Sequence, residues 1–412
     1  MFEQKTKDKQ VFEKMDTRND IGDIVAYTTD LIDFAVNVGA SDIHIEPSKN
    51  FVSIRFRESG DFMYVDKISQ DEYSKLLARM KILANLRIDE KYRPQDGKIG
   101  FSMPGTGEPI DIRVSLLPII DGEKIVMRIL RQDASLLNMD KLEFLDVNLI
   151  KIKETLKSKY GMILIAGPTG SGKSTTLFST LKHFNPLDYN ISTLEDPVEY
   201  NIQYINQTHV RPDIGFDFAS GLRTLVRQDP DIIMVGEIRD KETATLAIEA
   251  ALTGHLVLST IHTNSASATI QRLINMGIEP FLIASALKLV ISQRLIKKVC
   301  QKCKKPYKIK EPSITNKIDS YLNGVIPEKA EDITFFKGDG CPECGNTGYK
   351  GRIGIHEVLT VDERLDTLIL NKSSANEIEK KAKELGMITI MQDAIIKSAT
   401  GKTTIEETLK LI

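Results

Sequence analysis

Residues 162 to 176 read MILIAGPTGSGKSTT, and this stretch restricts the fold of the chain more than any other. The apolar run from Met162 to Ala166 is too short for a helix and predicts a buried strand, followed by a glycine-rich turn and a helix that opens near Lys173. Gly167 to Ser174 fits the pattern G-x-x-x-x-G-K-S at every position. Glycines at 167, 170 and 172 let the backbone turn its N–H groups inward, and a helix N-terminus adds a partial positive charge. Such a turn cradles phosphate. The pattern therefore points to Gly167, Pro168, Thr169, Gly170, Ser171, Gly172, Lys173, Ser174 and Thr175 as nucleotide-binding residues. Lys173 would reach the β and γ phosphates, and the Ser174 hydroxyl would ligate Mg²⁺.

A chain of 412 residues is too long for one ordinary core and predicts two or three domains. Lys+Arg 55 against Asp+Glu 57 leaves a net charge of -2, with no global sign of nucleic-acid binding. No apolar run approaches the roughly 18 residues of a membrane span, and the N-terminus MFEQKTKDKQ lacks the apolar core of a secretory signal. A cytoplasmic protein is expected.

Residues 1–19 mix both charges and suggest a flexible leader. From Asn19 or Asp20 as a cap, Ile24, Tyr27, Leu31, Ala35 and Val38 recur at helical spacing up to Gly39. Residues 42–46 and 51–56 alternate as two strands around the turn 47–50. A helix near 72–86 and strands at 110–116 and 124–130 complete a smaller α+β domain over residues 20–132. Its strands carry Arg55, Arg57, Arg113 and Arg128. Two readings stay open for them: a solvated sheet face, or a guanidinium surface that clamps phosphates.

Residues 133–145 are polar and irregular and suggest a linker. From 146 to 299, strands alternate with helices: after the glycine-rich turn come ISTLEDPVEY at 191–200, DIIMVGEIRD at 231–240 and HLVLSTIHT at 255–263. This alternation predicts a parallel sheet covered by helices, with functional residues at the carboxyl ends of its strands. Glu237 follows one apolar strand and suits a Mg²⁺ shell, directly or through water. Glu195 and Glu199 follow another, where a carboxylate can polarise an attacking water. His255 and His262 flank a third strand, as packing residues or as phosphate sensors.

The four cysteines form two pairs, Cys300-x-x-Cys303 and Cys341-x-x-Cys344. In a reducing compartment, such pairs favour one tetrahedral Zn²⁺ over disulfides, with free or redox-active thiols as the alternative. The 37 residues between the pairs must form a small excursion of their own. A zinc element over 300–350 and a helical C-terminal part over 351–412 follow.

Four motifs in order resemble the secretion ATPases of type II secretion and type IV pilus assembly: Gly167 to Ser174, TLEDPVE at 193–199, RTLVRQDPDIIMVGEIRD at 223–240, and Thr253-Gly254-His255 through His262-Thr263-Asn264. They are similar to that family's Walker A, Asp box, Walker B and His box. ASDIHIEP at 40–47, RPQDGKI at 93–99 and DIRVSLLP at 111–118 agree. The resemblance implies a RecA-like α/β P-loop core, a smaller N-terminal α+β domain of PAS-like form and a zinc-binding C-terminal element. It implies ATP hydrolysis with Mg²⁺, and roles for Arg113 and Arg128 of the small domain and for Arg223 and Arg227 near the phosphates. Glu199, and secondarily Glu195, would activate water.

It also implies a homohexamer that works on an inner-membrane platform protein to move pilin or pseudopilin subunits in pilus biogenesis, secretion or DNA uptake. No nucleic-acid contact and no membrane span are expected. A tetracysteine element resembles that of assembly and secretion motors and is generally absent from pilus-retraction motors. The alternatives are a retraction motor and a nucleic-acid translocase of the related ring class.

Overall fold

The computed structural model describes residues 23–58, 60–104, 107, 109–130, 137–322, 325 and 328–411. Residues 1–19 and the expected caps Asn19 and Asp20 lie outside them. The chain divides into two compact units, one within residues 1–133 and one within 134–412.

In the smaller unit, helix α1 (Ile24–Val38) is capped by the Asp23 carboxylate, which accepts from the Val25 amide at 2.8 Å. Gly39, at φ 86°, ends it in the left-handed region. Strands β1 (Ala40–Pro47), β2 (Val52–Glu58), β3 (Asp61–Ile68), β4 (Gln95–Ser102), β5 (Pro109–Ile119) and β6 (Gly122–Leu130) form an antiparallel sheet in the order β3-β2-β1-β6-β5-β4. Strands β3 and β4 escape the sequence reading. β3 carries three charged residues and an irregular register, and β4 is rich in glycine and charge. Alternation sends Ile43, Ile45, Ile54, Phe56, Ile112, Val114, Ile125 and Met127 to one face, where α1 and α2 (Gln70–Leu83) cover them.

In the larger unit, seven strands stand in the order β15-β12-β7-β11-β10-β8-β9. These are β7 (Gly161–Ala166), β8 (Ile191–Glu195), β9 (Asn206–His209), β10 (Ile232–Val235), β11 (Leu256–Ile261), β12 (Leu287–Val299) and β15 (Tyr349–Thr360). All neighbours are parallel except β12 and β15. The continuous apolar runs of β7 and β10 are buried at every position, as strands covered on both faces must be.

One face is covered by α3 (Asp146–Thr155) and α4 (Lys173–Leu181), with Leu137, Met139 and Phe144 in the same cluster. Leu137, Met139 and Phe144 of the expected linker are therefore buried in the core under the sheet. The other face is covered by α5 (Phe218–Leu225), α6 (Lys241–Leu252), α7 (Ala266–Asn275), α8 (Pro280–Ala286), α10 (Glu363–Leu370) and α11 (Ala375–Glu384). The last two helices lie beyond the cysteines in sequence yet share the core of the larger sheet. Between the cysteine pairs, β13 (Lys304–Tyr307), α9 (Pro312–Leu322) and β14 (Phe335–Gly338) form an excursion. Its own core closes on Ile395 of α12 (Ile390–Ala399) and Ile405 of α13 (Ile405–Leu409). Among the described residues, no helix is long and apolar enough to cross a membrane.

Candidate active site

Parallel register brings four strand ends to one edge of the larger sheet: Ala166 is level with Ile261, and Val235 is level with Ser259 and Leu194. The loops leaving these ends carry the glycine-rich turn, His262, Glu237 and the segment after Glu195. This is where side chains from separate parts of the sequence meet in such a sheet.

Lys173 opens α4 directly after Gly172, whose φ of 86° is left-handed. Its Nζ curls back to donate to the carbonyls of Gly167 and Pro168, at 3.1 Å each. Burial lowers its pKa, the Glu237 charge opposes that shift, and Arg294 adds to it. At Gly167, φ is 152°, and a Cβ would stand 2.5 Å from Ser171 Oγ and 2.7 Å from the Gln293 carbonyl oxygen. The turn is thus packed too tightly on its outer side to admit a side chain there.

Glu237 is held by β11. Thr260 Oγ1 donates to the Gly236 carbonyl at 2.8 Å, and the Ile238 amide donates to the Thr260 carbonyl at 2.9 Å. Its carboxylate accepts from Arg239 Nη2 at 2.5 Å and lies 3.3 Å from His262 Nε2. Burial works to raise its pKa, but Arg239 and His262 outweigh it and hold the carboxyl below the usual glutamate range. An ionised carboxylate on this edge, together with the Ser174 hydroxyl, supplies the hard oxygen donors that Mg²⁺ takes.

Glu195 is the last residue of β8 and is buried. Its Oε1 accepts from Thr193 Oγ1 at 2.6 Å and from Gln207 Nε2 at 2.9 Å. The Glu199 amide faces Oε2 at 3.4 Å. Burial raises the Glu195 pKa against these hydrogen bonds. Glu199 itself sits half-buried on the loop that follows.

The cysteines converge beside the excursion. Cys300 Sγ is 3.8 Å from Cys341 Sγ, Cys303 Sγ is 3.9 Å from Cys344 Sγ, and Cys341 Sγ is 3.7 Å from Cys344 Sγ. All four sulfurs lie within 4.8 Å of one another. A tetrahedral ion with Zn–S bonds of about 2.3 Å requires sulfurs about 3.8 Å apart, so the donor set fits zinc. The amides of Cys341 and Gly348 donate to Cys344 Sγ at 3.2 and 3.3 Å. Burial works to raise that thiol's pKa, but these amides hold it down to about 6.

A sequence profile of the family described as "Type II/IV secretion system protein" matches residues 17–410. The chain belongs to this family. It is 46% identical over 374 residues to the type IV pilus assembly ATPase PilB of Myxococcus xanthus, covering 90% of this chain and 65% of that protein. It is 45% identical over 370 residues to PilB of Thermus thermophilus, covering 90% of this chain and 41% of that protein. Type II secretion system ATPase E of Vibrio cholerae is 43% identical over 377 residues, 92% of this chain and 73% of that protein. The chain therefore spans 65% and 41% of the lengths of the two PilB relatives. Among solved structures, the Legionella pneumophila ATPase DotB matches with TM-score 0.66 at 22% identity over 94% of this chain and 95% of its own. The pilus retraction motor PilT with bound ADP matches with TM-score 0.62 at 26% identity, covering 93% of this chain and 96% of its own.

In this secretion-family chain the two histidines part company. His262 leaves β11 beside Glu237, whereas His255 enters the same strand at its other end. There its Nδ1 lies 2.9 Å from the Ala250 carbonyl and 3.4 Å from Thr253 Oγ1. Seven residue steps in a strand span about 23 Å, so His255 does not share the edge with His262. Arg223 on α5 pairs with Glu242 of α6, and Arg227 Nη1 donates to the Arg223 carbonyl at 2.5 Å; both arginines are exposed. Arg113 and Arg128 lie in the smaller unit, directly opposite each other in the β5–β6 ladder, and Arg128 Nε donates to Asp42 Oδ1 at 3.0 Å.

Sequence reasoning passed over Arg239, Thr193, Gln207, Gln293 and Arg294. Arg239 stands two residues after Glu237, which was signal enough. Gln293 and Arg294 interrupt the apolar strand LKLVISQRLIKKV, a polar break that a buried strand does not carry without cause.

Proposed function

We propose that this chain is the ATP-hydrolysing motor of a pilus or pseudopilus assembly machine. The observation that carries the reading is the single sheet edge on which Lys173, Ser174, Glu237, His262 and the Glu195 to Glu199 segment converge. Residues 167–175 hold the phosphates of ATP, with Lys173 on the β and γ groups. Ser174 and Glu237 would hold Mg²⁺, directly or through water, and the ion would supply neutralisation of phosphate charge. Glu199 is the base that orients and deprotonates the attacking water. Glu195, committed to Thr193 and Gln207, supports that loop from below.

Arg113, Arg128, Arg223 and Arg227 stabilise charge on the phosphates in the transition state. Cys300, Cys303, Cys341 and Cys344 would hold Zn²⁺, which would tie the excursion to the end of β12. The protein works as a homohexamer in the cytoplasm against an inner-membrane platform protein, with no direct nucleic-acid partner. The tetracysteine cluster favours assembly or secretion over retraction.

The test is MgATP hydrolysis by the purified chain with the cytoplasmic domain of a platform protein, or with DNA, as stimulant. Stimulation by the platform domain alone supports the assembly motor, and stimulation by DNA alone supports a translocase instead.

A further inference from the structure

We infer that Gln293 is a positioning residue for the phosphate cradle, acting through the peptide between Ser171 and Gly172. The inference rests on the ATPase reading above and deepens it. Gln293 lies on β12, in a strand segment that runs on past the end of β7, where Ser292 is level with Ala166. The residue is 2% exposed, and its Nε2 donates to the Ser171 carbonyl oxygen at 2.6 Å across 122 residues of sequence. Its own carbonyl fills the space beside Gly167, and its Nε2 stands 3.1 Å from where a Cβ on Gly172 would be. One side chain and one carbonyl thus back Gly167 and Gly172, the two glycines of the G-x-x-x-x-G-K-S pattern.

The consequence follows from peptide geometry. A trans peptide is planar, with its C=O and N–H pointing in opposite directions. Holding the Ser171 oxygen toward β12 therefore points the Gly172 N–H the other way, to the concave side on which a phosphate is bound. Without a donor at 293 the Ser171 oxygen is a buried acceptor with no partner, and rotating the peptide to find one turns the Gly172 N–H off the phosphate.

Gln293 is itself held on both sides. It is paired with His356 of β15, whose amide donates to Asp393 Oδ2 at 2.8 Å. Arg294 Nη1 donates to the Gln293 carbonyl at 3.0 Å, and its Nη2 donates to the Asn264 carbonyl at 2.8 Å, two residues beyond His262. The backing of the cradle is thereby joined to the loop that carries His262.

Gln293→Met keeps the volume and removes the donor. In the full chain it should weaken MgADP binding and raise the KM for ATP about tenfold while kcat stays within about twofold, because the lost contact serves bound phosphate before and during reaction alike. A merely structural role would lower kcat through loss of active protein and leave KM and the MgADP Kd in place, which would overturn the inference. Gln293→Glu supplies a second, independent readout. Its carboxyl donates to the Ser171 oxygen only when protonated, so its MgADP affinity relative to wild type should recover as pH falls. A flat ratio across pH overturns the inference even if Gln293→Met does not fold. Wild-type protein that binds no MgADP would fail the ATPase reading itself. Wild type that binds MgADP, alongside a Gln293→Met that binds it equally well, overturns only the role of Gln293.

Discussion

The Glu237 carboxylate lies 3.3 Å from Nε2 of His262, joining the loops that leave the carboxyl ends of β10 and β11. Arg239 completes the clamp at 2.5 Å. Glu237→Gln keeps the shape and removes the charge that the Arg239 guanidinium holds ionised. The variant should retain ATP in a filter-binding assay and lose turnover by about 10²-fold or more. Normal single-turnover hydrolysis would remove Glu237 from the chemistry.

The two glutamates of the β8 loop should separate. Glu199→Gln is expected to lower kcat by about 10²- to 10⁴-fold with little change in ATP affinity, the range for removing a general base. Glu195 is buried and already hydrogen-bonded to Thr193 and Gln207, so Glu195→Gln should cost less than about tenfold in kcat. Parallel ATPase kinetics decide the assignment, and the reverse ranking would exchange the two roles.

Elemental analysis of the purified chain should find about one zinc per chain, the stoichiometry of a closed Cys₄ site. Removing it with a chelator should raise hydrogen exchange in residues 300–348 before it affects β7 and α4, because the metal stabilises the excursion directly. Fully folded, metal-free protein with four titratable thiols would dismiss the metal.

Glu143 lies between Lys298 at 2.9 Å and Lys402. Burial works to raise its pKa, but the two lysines hold it below the ordinary 4.5. A carboxyl with a depressed folded-state pKa stabilises the fold above its unfolded pKa and loses that contribution as pH falls through the folded value. Glu143→Gln should therefore cost about 1 kcal/mol in denaturant unfolding at pH 7, and the gap to wild type should close as pH drops below about 4.5. A gap that persists or widens at low pH would contradict the linkage.

Much of the larger unit was legible because its signals are local. The glycine-rich turn is one contiguous motif, and β7 and β10 are apolar runs bounded by turns, so the strand, turn and helix around Gly167 to Ser174 and the strand end before Glu237 are legible in the sequence. The cysteine cluster was legible as chemistry, although its excursion was not, since α9 packs on α12 and α13 from the far end of the chain. What escaped depends on neighbours distant in sequence. Leu137, Met139 and Phe144 look like linker until the face of the sheet covers them. Gln293 reads as a flaw in an apolar strand until Ser171 is set beside it. The strands β3 and β4 carry too much charge and glycine to announce themselves, and their pairing supplies the order that their composition does not. His255 and His262 look like neighbours in sequence, and the extended strand between them sets them at opposite ends.

Phosphate release from MgATP by the purified chain, wild type against Lys173→Ala, tests the central claim most directly. Lys173 folds back over the Gly167 and Pro168 carbonyls, and its charge is the one the β and γ phosphates would meet. The account predicts sustained turnover by the wild type and a loss of at least about 10²-fold in Lys173→Ala, with weaker nucleotide binding and an unchanged melting profile. Equal turnover by the folded variant would contradict it.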